Sequence, residues 1–465
     1  MPGRLVGDHS VDRKGIPVSR KLVLFIAFAF TVMADPVSSV AYAIQAALHQ
    51  LHGDLIDLFP TMALVVATIA IVAATYHQLI RRFPEGGGGA RSVASAYGDG
   101  WAFIPLGALL VDFTITVAIS CAAGASAIIA YAPGLASGRV ALALGLTALV
   151  AAGISLGHRG RLAFAVATLS FLALAAVMIA SGAVGGAGVE SRAGEGQTLV
   201  ADASLVPVLL AMPLAMALAT GIEAPSDAIA QLGQLGRRDR RLFGQCTIWL
   251  TVGIVGALTM GIAILAVTLD VGLPPSDSTL LAEVARTSVG DGGLFAAFQA
   301  ASALLLLAAA ASSYLAASGL LKALALTGAG REDYGLVPER FARTNRFHTP
   351  TWGIGAVLAA SAALIAIAAG HDQEIVQFYA VSVFAGFLAA LLGCARLSLR
   401  DRRWVELSVN VSGVGLVTFV LALNLSRTDG AIALGASALV ASYLYLVWVR
   451  RGRPPGVGEI EISAS

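Results

Sequence analysis

Residues 33–39 read Met33-Ala34-Asp35-Pro36-Val37-Ser38-Ser39, and residues 220–227 read Thr220-Gly221-Ile222-Glu223-Ala224-Pro225-Ser226-Asp227. Each stretch sets a carboxylate just ahead of a proline that serine soon follows, and each interrupts a long run of Ala, Leu, Val and Ile. Proline has no backbone donor and clashes with the preceding turn. Both stretches are therefore expected to be locally unwound, leaving carbonyls that protein, water or a bound ion must satisfy. Non-helical backbone at membrane depth lines a protected site and does not face lipid. A packing kink is the plainer reading of either proline alone, and the acids beside them argue for a site.

The flanking sequence puts these breaks inside a membrane. Of the 465 residues, 57% are hydrophobic and 12% charged, against about 25% charged in soluble domains. The net charge of +2 removes the basic excess that would suggest nucleic acid. Cys121, Cys246 and Cys394 lie in or beside apolar runs without a metal-ligand or disulfide spacing. Apolar windows predict twelve spans near 22–50, 59–80, 101–131, 138–156, 161–185, 204–230, 242–269, 293–325, 351–370, 374–395, 405–426 and 430–449. The breaks then fall in spans 1 and 6. Two stretches so alike, five helices apart, are what a five-helix repeat inverted across the membrane would leave in sequence. The expected fold is all-α, about 12 transmembrane helices arranged as a LeuT-like 5+5 inverted repeat plus two C-terminal helices. Its divisions are an N-terminal tail at 1–21, a transport core at 22–395, two peripheral helices at 396–449 and a short tail at 450–465.

Arginine and lysine orient this arrangement. With the N-terminus in the cytoplasm, 26 of the 30 Lys+Arg fall in cytoplasmic segments, and only Arg139, Arg192, Arg286 and Arg427 fall outside. That alternation follows the positive-inside rule and argues for both termini in the cytoplasm, in a bacterial inner membrane, and against a soluble bundle with an apolar surface. The basic opening segment, with Arg4, Arg13, Lys14, Arg20 and Lys21, has no small-residue cleavage site after it, so a cleaved signal peptide is not expected.

A carboxylate at mid-bilayer costs about 2.5–3.5 kcal/mol even on lenient scales, so each needs a partner or a task. Asp35, Asp112, Glu223 and Asp227 stand in apolar runs with hardly any Lys or Arg at comparable depth. Protonation or a cationic substrate must neutralise them. Span 3 spaces Asp112, Thr116 and Ser120 at i, i+4 and i+8, a column of oxygens on one helical stripe. Thr220 and Glu223 share a face at the second break, Tyr42 follows the first, and Tyr379 lies in span 10. Oxygen ligands of this kind suit small hard cations. The alternatives are that Thr116 and Ser120 only bond back to the i−4 carbonyl, that Tyr42 and Tyr379 only pack, and that Asp227 is solvated near the cytoplasmic end of its span. The glycine run Gly86 to Gly89 lacks the Lys-Ser/Thr of a phosphate loop and reads as a flexible cytoplasmic return into span 3.

The segments "DPVSSVAYAI", "RRFPEGGGGARSVASAYG", "LLVDFTITVAISCAAGASAI" and "ALATGIEAPSDAI" together resemble the amino acid-polyamine-organocation superfamily, and within it the KUP/KimA-type proton-coupled potassium importers. The resemblance covers roughly residues 22–395. It implies a potassium site at Tyr42, Asp112, Thr116, Ser120, Thr220, Glu223 and Tyr379, ion coupling at Asp35, and an inner gate in the 81–100 region. Phe113 stands where that branch commonly has Tyr. The residues beyond Arg453 are too few for the cytosolic domain such importers carry, which puts nucleotide control and dimerisation through such a domain in doubt; a homodimer by other surfaces is left open.

The leading expectation is a secondary transporter, not an enzyme, importing potassium with protons across the plasma membrane. Asp35 and Glu223 are the candidate proton carriers, and no cofactor is needed beyond the transported ions. Its partners are the cation and the lipid bilayer. Alternating access would come from rocking of spans 1, 2, 6 and 7 against spans 3, 4, 8 and 9. The runner-up is a proton-coupled amino acid or polyamine permease. The carboxylate and proline at the first break suit a substrate carboxylate poorly, which leaves polyamines the better fit of the two. A non-transporting sensor would be marked by loss of the buried acids, which are present.

Overall fold

The computed structural model describes residues 18–157, 161–194, 205–327 and 335–460. Most of the expected 1–21 tail, the turn around Arg159 and the final residues 461–465 lie outside them. The described chain is helical throughout. Helices α1 (Val18–Val32), α2 (Ala34–Ser38) and α3 (Val40–Gln50) follow one another with single-residue interruptions, and α4 (Leu58–Arg82) returns. Then come α5 (Gly88–Tyr97), α6 (Phe103–Tyr131), α7 (Arg139–Ser155) and α8 (Arg161–Ala183). The second half runs through α9 (Val206–Ala215), α10 (Ala224–Ala228), α11 (Arg237–Thr268), α12 (Leu280–Val289) and α13 (Gly293–Leu326). It ends with α14 (Thr351–Ile367), α15 (Asp372–Arg400), α16 (Trp404–Leu425) and α17 (Thr428–Arg450).

Ten helices among the described residues are long and apolar enough to cross a membrane. The other two expected spans, 22–50 and 351–370, correspond to α1–α3, divided into three pieces, and to the 17-residue α14. Large apolar side chains on the outer helices, such as Leu149, Val166, Val405 and Leu439, are exposed, as lipid-facing positions must be. Buried Ala and small apolar residues form the middle of the molecule, where α6 packs along α13 and α4 along α11. Helix α15 lies against α5, α6, α16 and α17.

The two breaks differ, which corrects the expectation that both are unwound. At Met33 and Ser39 the backbone keeps right-handed helical angles, and Val37 N–H still reaches the Met33 carbonyl at 3.0 Å. Serine hydroxyls take up neighbouring carbonyls: Ser38 Oγ donates to Asp35 O and Ser39 Oγ to Pro36 O, both at 2.7 Å. One proline removes only one donor, and the helix absorbs that loss as a kink. The second break is an opening. After the 3-10 turn Met216–Ala219, Thr220 is extended (ψ 144°) and Gly221 adopts φ +75°, a left-handed conformation that favours glycine. The 81–100 segment also departs from expectation, because a flexible return was read where α5 forms. Gly86 and Gly87 turn the chain with positive φ, and Ala90, Ser92 and Val93 of the helix are buried.

Candidate cation site

The kinked and the opened break meet. A Cβ on Gly221 would stand 2.6 Å from Pro36 Cδ and 3.1 Å from Asp35 Oδ2, so only a glycine lets the two chains approach this closely. Ser39 Oγ also reaches the Leu218 carbonyl at 3.3 Å, using one of the acceptors released by the opening. Asp35 from the kink, Glu223 from the opened segment and Asp112 from α6 are thereby brought to one locus. Their side chains are buried, at 9%, 6% and 3% exposure. Asp112 lies within electrostatic reach of Glu223 and Asp35. No Lys or Arg among the described residues forms an ion pair with any of the three.

The hydroxyls gather around the acids. Thr116 Oγ1 donates to the Asp112 carbonyl at 2.9 Å, as the back-bonding alternative expects, and also lies 2.9 Å from the Tyr379 hydroxyl. Ser120 does not back-bond: its buried Oγ has no hydrogen-bond partner. Tyr42 and Tyr379 are fully buried with ring centroids 6.4 Å apart at 74°, an edge-to-face pair. Thr220 Oγ1 donates to the Ala217 carbonyl at 2.6 Å, so this hydroxyl is occupied by its own turn. Buried oxygens without a hydrogen-bond partner include Asp35 Oδ1, Tyr42 OH, Asp112 Oδ1, Ser120 Oγ and Glu223 Oε2. Unpaired buried oxygens of this density are expensive unless something positive is shared among them.

Two cavities border the locus. A small one, about 20 Å³, lies between Asp112, Glu223, Tyr76, Gly89 and Phe387. The larger, about 360 Å³, touches Asp35, Glu223 and Asp227 and extends past Phe113, Ser312 and Ser313 to Lys322 and His348. Tyr76, Lys322 and His348 line these cavities without any mark in their local sequence, whereas Gly89 belongs to the glycine run of the 81–100 region. Asp227 lines both cavities, so it sits beside the cluster and not away from it. Among the described residues there is no group of three or more His, Cys, Asp or Glu side chains placed to hold a metal ion.

The opposite end of the bundle is closed by polar contacts. Arg139, 7% exposed, donates through Nη1 to Ser126 Oγ at 2.8 Å, and Ser126 Oγ donates to Asp372 Oδ1 at 2.7 Å. Gln373 Nε2 donates to Asp372 Oδ2 at 2.9 Å and to the Tyr42 carbonyl at 3.4 Å, linking this cluster to the tyrosine pair.

A family model described as amino acid permease matches residues 20–444. The potassium transporter KimA of Bacillus subtilis (strain 168) is 27% identical over 422 residues. That alignment takes in 86% of this chain and 66% of the relative, so the chain spans just under two thirds of the curated protein it matches.

Proposed function

The chain belongs to the amino acid permease family, secondary transporters of the amino acid-polyamine-organocation superfamily, and from that premise we propose that its cargo is potassium, imported with protons by alternating access. The observation that carries the reading is the set of buried, unpartnered oxygens at Asp35, Tyr42, Asp112, Ser120 and Glu223. Among the described residues no basic side chain pairs with the three acids, which leaves a mobile cation or a proton to neutralise them. Potassium is large and weakly hydrated for its charge, and it accepts mixed carboxylate, hydroxyl and carbonyl oxygens. In this reading Asp112, Ser120, Tyr42 and the Thr116–Tyr379 pair hold the ion, with Thr220 and Glu223 from the opened break completing the cradle. Asp35 and Glu223, facing the larger cavity, exchange protons with its water. Potassium transport by the KimA relative supports the choice of cargo. Both termini would lie in the cytoplasm of a bacterial inner membrane, and no cofactor would take part.

One observation favours a second cargo class. The larger cavity, about 360 Å³, is lined by acids and also by Lys322 and His348, so it offers both charge signs and room for an organic amine or amino acid. Uptake of rubidium or potassium into proteoliposomes under an inward proton gradient separates the two. Gradient-driven uptake in the wild type, abolished in both Asp112→Asn and Glu223→Gln, is the expected result. An intact, folded protein that moves no alkali ion but binds polyamines or amino acids would overturn it.

A further inference from the structure

The chain after α17 does not trail away. Pro454 O accepts from Trp448 Nε1 at 2.8 Å, turning the tail back along the bundle, and Gly456 N–H reaches Asp99 Oδ2 at 3.2 Å. Val457 and Ile460 are then buried in one apolar cluster with Ala90 of α5 and Phe103 of α6. Gly458 lies so close to the helix that a Cβ there would stand 2.6 Å from Ala94 Cβ. Arg91 of α5 lies between Glu459 of the tail, at 3.7 Å, and Glu85, at 3.8 Å.

Helix α5 is itself pinned between the cation site and the rest of the bundle. Gly89 lines the small cavity beneath Asp112 and Glu223, and a Cβ there would meet Ala390 of α15 at 3.2 Å. Ser92 fits against Gly393 of the same helix. Just before α5, Glu85 pairs with Arg237 at 2.5 Å, and Gly86 abuts Ala230, both in the chain that follows the opened break. The helix thus touches the elements on either side of the acids, and the tail packs on Ala90, Arg91 and Ala94 of it.

We propose that residues 454–460 form a strap that holds α5 as the floor of the acidic site, so that docking of the strap closes the small cavity and its release opens that cavity to the tail side of the membrane. This rests on the acid cluster being the transport site. The physical basis is modest and therefore switchable. The strap is held by the buried side chains of Pro454, Val457 and Ile460, one indole hydrogen bond, one backbone hydrogen bond to Asp99 and the Arg91–Glu459 ion pair, of a kind that contributes little singly. Segments with so few contacts open at low cost, as gating elements must.

The labelling readout needs no transported ion, so its failure is distinct from failure of the potassium reading. Ser382, on the wall of the small cavity, is replaced in a Cys246→Ser, Ser382→Cys chain, and a charged thiol reagent is applied from the tail side. Labelling is read by mass spectrometry of the peptide carrying position 382. Val457→Asp, and a chain ended after Arg453, are each expected to raise the labelling rate about tenfold, the effect of a gate equilibrium moved by one order of magnitude. Arg91→Cys with Glu459→Cys, at a pair whose native side chains meet at 3.7 Å, bridged by a short thiol-reactive crosslinker with an internal disulfide, is expected to suppress labelling and to slow uptake, and reductant is expected to restore both. Unchanged labelling in folded strap-free chains, or a crosslink that alters neither labelling nor uptake, would overturn the proposal. The crosslink arm decides the matter if the strap-free chains do not fold.

Discussion

Ser120 and Gly221 separate what the site does from what the fold requires. The Ser120 hydroxyl is buried without a protein partner, so its removal leaves no group unsatisfied and costs the fold little. Ser120→Ala is expected to leave the melting temperature in detergent unchanged while raising KM for the cation about tenfold, the loss of one hydroxyl contact to a charge. Ser302, whose hydroxyl is spent on the Phe298 carbonyl at 2.9 Å, is the matched control: Ser302→Ala is expected to change neither quantity. At Gly221 the constraint is steric. Gly221→Ala puts a methyl group 2.6 Å from Pro36 Cδ and also strains a residue at φ +75°, so uptake is expected to fall by an order of magnitude or about that much. Gly253→Ala in α11, with nothing within 4 Å of the new methyl, is expected to be silent in the same assay. The three acids were legible in sequence because a charge in an apolar run has no neutral explanation. Gly221 was not, because a glycine is recognised as a contact only once its neighbour, 185 positions earlier at Pro36, is known.

At the scale of elements, helix α16 is tied to the bundle by polar groups that the hydropathy pattern could not place. Asn410 donates to Gln78 Oε1 at 2.9 Å and to Ser398 Oγ at 3.3 Å, and it accepts from Thr75 Oγ1 at 2.8 Å, joining α4, α15 and α16. Arg81 and Arg82 extend the junction to Glu406 and Asp401 at the helix ends. Asn410→Leu removes one partner and strands the others, at about 1–3 kcal/mol for each group left buried and unpaired. The expected result is a lower melting temperature in detergent by several degrees, with the cation KM unchanged, because no residue of the junction touches the acids. An unchanged melting temperature would mean that the network contributes register and not stability. The existence and order of the long helices were readable from runs of Ala, Leu, Val and Ile. The kink at Pro36 was overread as an unwinding, since sequence does not reveal that Ser38 and Ser39 would satisfy nearby carbonyls. Helix α5 was missed for a related reason: four glycines followed by a short polar stretch look like a loop until α15 and the strap supply the apolar surface that orders them.

The whole molecule is asymmetric about its acids. On one side the larger cavity connects Asp35 and Glu223 to the Lys322 and His348 region. On the other, the buried Arg139–Ser126–Asp372 chain, reinforced by Arg139 Nη2 on the Ser276 carbonyl at 2.5 Å, stands between the tyrosine pair and the surface. This makes the Arg139 chain the candidate closure of that side, and alternating access requires a closed side to be the weaker of two competing states under some condition. Arg139 is the central member: it is buried, charged and satisfied only through Ser126 and a loop carbonyl, so its loss strips donors from both. In a Cys246→Ser, Ser313→Cys chain, a charged thiol reagent is expected to reach position 313 from the tail side and not from the other. Adding Arg139→Met is expected to raise labelling from the far side about tenfold, equivalent to about 1.4 kcal/mol of lost closure. Equal labelling from both sides in the parent chain would mean that the cavity is continuous across the molecule, which a coupled transporter cannot tolerate. Labelling that stays one-sided after Arg139→Met would place the closure elsewhere, on the Gln373 contact to the Tyr42 carbonyl, where this polar cluster meets the tyrosine pair.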